Sequence, residues 1–437
     1  MDQPSAEKPK TTDRKWLRNY LPMWIGQAVS LLGSSLVQFA LVWYLTDQTG
    51  SATVLAMATL VALLPQVFLG PFSGAVVDRL NRKTVMIVSD SLVALTTLGL
   101  MASFMLGSIQ VWHIYLAMFL RSLFGTFQMP AMSASTTLMV PPEQYSRLGG
   151  VNQALYGVLN IVSPPLGAAL LAAFAIDAVL MVDIVTAALA IGLLAFFVKV
   201  PQPKRADASQ AMTPKQVIAD VRYGLKYAYT WKGLFALLLM AALVNMVLSP
   251  AFSLLPLHVT QHFGRGLEEV ALMDSAVGIG IVVGGVLLGV WGGFKRKMTT
   301  ILIGWVGIGL SALAIGLIPA SGFAFAVVMI TIVGLSSALT NGPLGALMQA
   351  KVPPEMQGRV FTVMNSLSTG AMPLGMLMAG PLANALGTSA WFVIAGVTLL
   401  ITGVIAYVMK EVYTLDDQLP GGALQPAVAE VGAPATD

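Results

Sequence analysis

Apolar runs of about twenty residues recur along nearly the whole of this 437-residue chain, and nothing else in it constrains the fold as tightly. A helix rising 1.5 Å per residue needs about 20 such residues to cross the ~30 Å hydrocarbon core of a bilayer. About twelve runs meet that length, at 18–46, 51–77, 84–107, 111–134, 145–171, 176–198, 232–260, 268–292, 298–318, 322–348, 357–384 and 389–409. With 56% hydrophobic and only 10% charged residues, the composition exceeds what a water-soluble core can use. The expected fold class is an all-α polytopic membrane protein with twelve transmembrane helices, and the lipid bilayer is its first partner.

Charge supplies the orientation. With both tails on one side, all but Arg121 and Arg265 of the 24 Lys and Arg fall on that side, which positive-inside bias makes cytoplasmic. The net charge of +4 is thereby explained as a topological signal. No basic patch interleaved with aromatics points to nucleic acid. Cysteine is absent and the three histidines, His113, His258 and His262, are scattered, so no metal site or cofactor is expected. The polar start leads into a long apolar segment without the cleavage pattern of a signal peptide. A multi-pass protein of the cytoplasmic membrane with both termini inside is the expected outcome.

The chain divides into a cytoplasmic tail (1–17), an N-terminal six-helix bundle (18–199), a cytoplasmic linker (200–231), a C-terminal six-helix bundle (232–410) and a disordered tail (411–437). After Pro214 the linker places Val217, Val221, Leu225 and Ala228 at helical spacing, the pattern of an amphipathic helix on the membrane surface. The two bundles repeat. "VPPEQYSR" (140–147) and "VPPEMQGR" (352–359) share five of eight positions at an offset of 212, and "GAVVDRLNRK" (74–83) aligns with "GVWGGFKRKM" (289–298) at 215. Two nearly equal offsets, each six spans long, predict pseudo-symmetric halves and a binding site at their interface.

The two copies of the second repeat differ in one informative way. Both keep a glycine (Gly74, Gly289) and a basic cluster (Arg79, Arg82 and Lys83; Lys295, Arg296 and Lys297), but the second has Gly293 where the first has Asp78. Positive-inside bias accounts for the bases and not for the acid. Asp78, one turn beyond Gly74 at the end of a helix, is placed to act as a cytoplasmic gate latch.

These residues carry a resemblance. "GAVVDRLNRK", between the second and third spans of a twelve-span, two-repeat layout, resembles the loop motif of the major facilitator superfamily. "TDQTGSA" after the first span, "VPPEQ" after the fourth and "DVRYGLKYAY" ahead of the seventh resemble the macrolide-efflux branch of its drug:proton antiporters. The likeness runs from about residue 18 to 410. It implies that Asp78 holds the cytoplasmic side closed by engaging a helix of the C-terminal half. A second family motif is matched by Arg121 and Gly125, implying a role for Arg121 in proton coupling. The Gly-rich antiporter motif of the fifth helix is met in part by "GVLNIVSPPLGA" (157–168), with Ser163 in place of the usual Gly and with Pro164 and Gly167 kept.

The remaining polar residues are read from position. Arg121 stands about ten residues, roughly 15 Å, into its span, where a charge costs at least about 2.5 kcal/mol and requires a partner. Arg121, Gly125, Gln128 and Met132 fall within about 60° of arc. Asp90 and Asp183 suit structural pairing on peripheral helices, while Asp183 and Asp274 are also candidates for carrying the coupled proton. Polar stripes on the first span (Gln27, Ser30, Ser34, Gln38) and the fifth (Asn152, Tyr156, Asn160, Ser163), completed by Asn245 and Asn341, fit the wall of a substrate cavity. Phe39, Trp43, Met129 and Met132 would give it an adaptable apolar surface. Gly285, Gly289 and Gly293, four apart, read as a close-packing helix face.

The expected function is a secondary active transporter, a proton-coupled exporter of hydrophobic or amphiphilic compounds such as macrolide-like drugs, working as a monomer by alternating access. A carrier of one endogenous metabolite, such as a siderophore or lipid-like compound, and a transporter-like sensor are the alternatives. No nucleophile–base constellation or H-E-x-x-H suggests an enzyme, and no phosphate-binding G-x-x-x-x-G-K-[ST] loop suggests an ATP-driven pump.

Overall fold

The first three helices are joined by pairs of residues, and each junction is capped. Helix α1 (Leu17–Thr49) ends on Gly50, left-handed at φ 55°, whose N–H reaches the Thr46 carbonyl. Ser51 then accepts from the Val54 N–H to start α2 (Ala52–Arg79), and Asn81 accepts from the Thr84 N–H to start α3 (Arg82–Met105). Helices α4 (Val111–Met139), α5 (Tyr145–Ala173) and α6 (Ile176–Phe197) complete one half. The second half runs through α7 (Lys232–Ser253), the short α8 (Leu255–Gln261), α9 (Leu267–Trp291), α10 (Lys297–Leu317), α11 (Phe323–Lys351), α12 (Met372–Leu386) and α13 (Thr388–Val408), with the one-turn α14 (Lys410–Tyr413) behind it.

This computed structural model describes residues 16–201, 226, 229–352, 360 and 364–418, the side chains of Ala75, Asp78, Pro142 and Ser146 excepted. The amphipathic helix expected in the linker, the N-terminal tail before residue 16, most of "VPPEMQGR" and the chain beyond residue 418 lie outside the described residues.

Among the described residues ten helices are long and apolar enough to cross a membrane. Helix α4 is 29 residues long but is not among the ten, because Arg121 and Gln128 dilute its apolar character. The eleventh span is helical at 364–370 and again through α12. The architecture is consistent with the expected twelve crossings.

The packing repeats between halves. In the first, α1 packs on α6, α2 on α4, and α3 on both α4 and α6. In the second, α7 packs on α13, α9 on α11, and α10 on both α11 and α13. The halves meet through α5 against α9 and α2 against α12. The two ends of the described chain lie at one face of the molecule, hereafter the termini face: Trp16 and Val200 pack with the end of α4 there, and Glu411 lies under Gly233 at the start of α7.

Close approach is concentrated where glycine permits it. A Cβ on Gly280 or Gly284 of α9 would strike the backbone of α11 at Thr331 or Leu335, and one on Gly334 of α11 would strike the Val277 carbonyl of α9. The glycine face expected at Gly285, Gly289 and Gly293 is therefore corrected. Gly285 and Gly289 face open space, and Gly293 occupies the turn after α9 at φ 78°.

The expectation of a structureless tail from residue 411 is likewise corrected for residues 411–418. Asp416 accepts from the backbone N–H groups of Lys297 at 3.0 Å and Met298 at 2.8 Å, capping α10 from outside the helix. Arg296 pairs with Asp417 at 2.9 Å, and Leu415 is fully buried.

Candidate transport site

The N-terminal half holds two buried polar clusters built from facing helices. In the first, Asp183 of α6 accepts from Ser34 Oγ of α1 at 3.0 Å, Thr97 Oγ1 of α3 at 2.9 Å and Arg121 Nη1 of α4 at 2.5 Å. Arg121 also donates to Thr97. Its side chain is 10% exposed and that of Asp183 1%, so this is an ion pair inside the bundle. Arg121 thus has the partner that its depth requires. Gly125, one turn on, has open space above it.

In the second cluster, Asp90 of α3 accepts from Gln27 Nε2 at 2.9 Å and Gln128 Nε2 at 2.5 Å, and Gln128 also donates to Gln27 Oε1 at 2.6 Å. The carboxylate is 2% exposed and solvated by amide groups instead of water.

Between the halves lies a cavity of about 560 Å3, walled by α1, α2, α5, α7 and α9. Leu31, Phe39, Val42, Trp43, Phe252 and Ile281 make most of its surface apolar. Its polar points are Ser34, Ser35, Gln38, Thr59, Asn160, Ser163, Ser253 and Asp274. Ser34 belongs to both assemblies, because it lines the cavity and donates to Asp183.

Of the residues proposed for the cavity wall, Ser34, Gln38, Phe39, Trp43, Asn160 and Ser163 are there. The rest are placed elsewhere. Gln27 and Gln128 are occupied by Asp90, Ser30 is buried, and Met132 packs in the apolar cluster near the termini face. Asn152 accepts from Trp24 Nε1 at 2.8 Å, and Tyr156 donates to Met129 Sδ at 3.2 Å. Asn245 and Asn341 donate to carbonyls of their own helices, at Ala241 and Ser337. Thr97, Thr59 and Ser253 escaped the sequence reading, since a single hydroxyl in an apolar span has no periodic signal.

The motif residues lie at the termini face. Lys83 donates to the carbonyls of Ala195 and Val198 at 2.9 and 3.0 Å, capping the C-terminus of α6. Arg82 donates to the Ala134 carbonyl at 2.9 Å. Gly74 borders a second cavity, of about 340 Å3, which separates α2 and Pro130 from Asn365, Ser366 and Thr369. Asp78 sits in the last turn of α2, beside Arg79.

The two cavities reflect how the halves touch. Hydrogen bonds join the described residues of the two halves away from the termini face. Thr59 and Ser253 hydroxyls meet at 2.6 Å, Asn384 donates to Thr53 at 3.0 Å, Gln261 to the Gly50 carbonyl at 2.7 Å, and Ser275 to the Ile161 carbonyl at 3.0 Å. The molecule is closed towards the far face.

Two helical halves related by a sequence repeat, with a cavity between them and ionisable residues buried beside it, define a secondary-transporter fold. Residues 23–376 match the family model of the Major Facilitator Superfamily, and the chain belongs to that superfamily. It is 34% identical to macrolide efflux protein A of Streptococcus pyogenes over 403 residues, 92% of this chain and 98% of the relative. It is 25% identical to the multidrug efflux pump Tap of Mycolicibacterium fortuitum, over 88% of this chain and 94% of that protein. Among solved structures, the nucleoside transporter NupG superposes with a TM-score of 0.68 at 12% identity, covering 88% of this chain and 98% of that one. A D-xylose–proton symporter does so at 0.67 and 12%, covering 92% and 98%.

Proposed function

We propose that this protein exports hydrophobic or amphiphilic compounds of the macrolide type across the bacterial cytoplasmic membrane, as a monomer, by alternating access coupled to protons. The observation that carries the reading is the cavity between the halves, apolar over most of its wall and dotted with polar groups, which suits amphiphiles of varied shape. The names of two relatives, both efflux proteins, support the direction. With both termini in the cytoplasm, as the distribution of Lys and Arg argues, the state described here is closed to the outside.

Coupling runs through Ser34. Protonation of Asp183 weakens its hold on Arg121 and on Ser34, and Ser34 is part of the cavity wall, so substrate and proton act on one hydroxyl. In the opposite state the space beside Gly74 closes, and Asp78 latches the end of α2 to the C-terminal half.

The test is transport in everted membrane vesicles with a macrolide and dye panel. Accumulation inside the vesicles that a protonophore abolishes is the expected result. Movement indifferent to the protonophore overturns proton coupling, and movement of one compound alone overturns the broad substrate range.

A further inference from the structure

One buried carboxylate, Asp90, takes no part in the contact between Asp183 and the cavity. Its position follows a pattern. Gln27 and Ser34 on α1, Asp90 and Thr97 on α3, and Gln128 and Arg121 on α4 are each seven positions apart, two helical turns. The two polar clusters are therefore stacked layers about 10 Å apart, contributed by the same three helices. The Asp90 layer is the one nearer the termini face, since α1 and α3 start there and α4 ends there.

Polar features continue above and below Asp90 on the same helix faces. Between the layers are Ser30 of α1, 5% exposed, and Gly125 of α4, where a Cβ would have nothing within 4 Å. That leaves space at the level where the two acids would exchange a proton, with a hydroxyl beside it. Seven positions before Gln27 stands Tyr20, 2% exposed, with Thr136 of α4 beside it and no hydrogen bond to its hydroxyl. A buried hydroxyl without a partner costs stability and needs a reason.

The partners of the two acids differ in kind. Arg121 has only donors to offer Asp183. Gln27 and Gln128 each carry a donor and an acceptor, and half-turns of the two amides present carbonyl oxygens to Asp90 in place of NH2 groups. The same two residues thus satisfy Asp90 with or without a proton. The charged groups around it are Asp183 and Arg121, two turns towards the far face, and Lys83, two turns towards the termini face, whose ammonium is held by carbonyls of α6.

We propose that Asp90 is a second proton-carrying residue, which takes the proton from Asp183 across the space beside Ser30 and Gly125 and passes it by way of Tyr20 to the termini face. At each transfer an O–H bond breaks on the giving group and forms on the receiving one, with water in that space as the carrier between the acids. The route runs inside the N-terminal half, apart from the central cavity, so substrate and proton travel separately and meet only at Ser34. This inference rests on the reading of the protein as proton-coupled and adds the path by which the proton leaves.

The experiment uses the full-length protein in proteoliposomes and radiolabelled erythromycin, a macrolide. Two rates are measured: uptake driven by an imposed pH gradient, acid inside, and exchange of labelled for unlabelled compound at equal pH, which turns the carrier over without net proton movement. Asp90→Asn should slow driven uptake about a hundredfold, the scale on which a positioned proton-transfer group contributes, and leave exchange near the wild-type rate. Asp90→Glu should restore most of the driven uptake. Tyr20→Phe should slow driven uptake with exchange unchanged.

Driven uptake by Asp90→Asn at the wild-type rate would overturn the proposal. Loss of uptake and exchange together, without rescue by Asp90→Glu, would assign Asp90 to structure and overturn it as well. Should Asp90→Asn fail to fold, Tyr20→Phe decides, since undiminished driven uptake there removes the route. A wild type that exchanges erythromycin but ignores the pH gradient overturns the proton-coupled reading itself.

Discussion

Arg121 and Asp183 show how far a single residue can be read without a structure. The depth of Arg121 in its span demanded a partner, and energetics alone said so. Which acid it meets was not legible, because Asp90, Asp183 and Asp274 were all within reach of a helical bundle whose rotations were unknown. The structure pairs Asp183 with Arg121 and gives Asp90 to two glutamines. Asp183→Asn should therefore destabilise the protein by about 3–5 kcal/mol, since it leaves a buried guanidinium uncompensated. Replacing both, Arg121→Met with Asp183→Met, should recover most of the melting temperature in detergent while transport stays lost. Recovery of transport with stability would reduce the pair to a structural feature. Asp78 and Gly293 make a complementary case. Their alignment posed the question of why one repeat lacks the acid, and the backbone answers half of it: Gly293 sits at φ 78°, which an aspartate tolerates poorly, whereas Asp78 is still helical.

At the scale of elements, helix positions were legible because about twenty apolar residues have few other uses. The faces they bury were not. In lipid both sides of a helix are apolar, so period no longer separates core from surface, and the glycine stripe expected at Gly285 and Gly289 proved to lie beside the one that packs. Two neighbouring substitutions separate these faces. Gly280→Ala puts a methyl group into the Thr331 carbonyl and should cost about 1–3 kcal/mol, whereas Gly285→Ala meets nothing and should be neutral or slightly stabilising. Thermal unfolding of the two variants side by side checks this. The basic residues of the loop motif also acquire a local reason. Lys83 is a helix cap as well as a topological signal, and its two carbonyl partners, more than a hundred residues away, could not be inferred from spacing.

For the whole molecule, the six-span repeat predicted halves that pack alike with a binding site at their interface; they do pack alike, with a cavity between them. The repeat said nothing of which side would be shut, because alternation between states is the property that the two halves share. The contacts on the far face decide it, and the absence of native cysteine makes them testable. Thr59 and Ser253 hydroxyls at 2.6 Å are close to the ~2.05 Å separation of a disulfide. The double variant Thr59→Cys/Ser253→Cys should cross-link under mild oxidation, stop transport, and regain it on reduction. Continued transport after complete cross-linking would show that the far face need not open there.

The ion pair of Arg121 with Asp183 has a consequence for how the protein is made. The two residues are 62 positions apart, and the cation is synthesised first. At about 5–20 residues per second, α4 enters the membrane roughly 3–12 s before its counter-ion exists. Of the partners that Arg121 holds in the folded protein, only the Thr97 hydroxyl of α3 exists during that interval, and a charge at mid-membrane costs about 2.5–3.5 kcal/mol. Helix α4, which carries the arginine, is thus the step at which biogenesis is slowest to commit. The N-terminal half becomes a settled membrane unit only when α6 arrives.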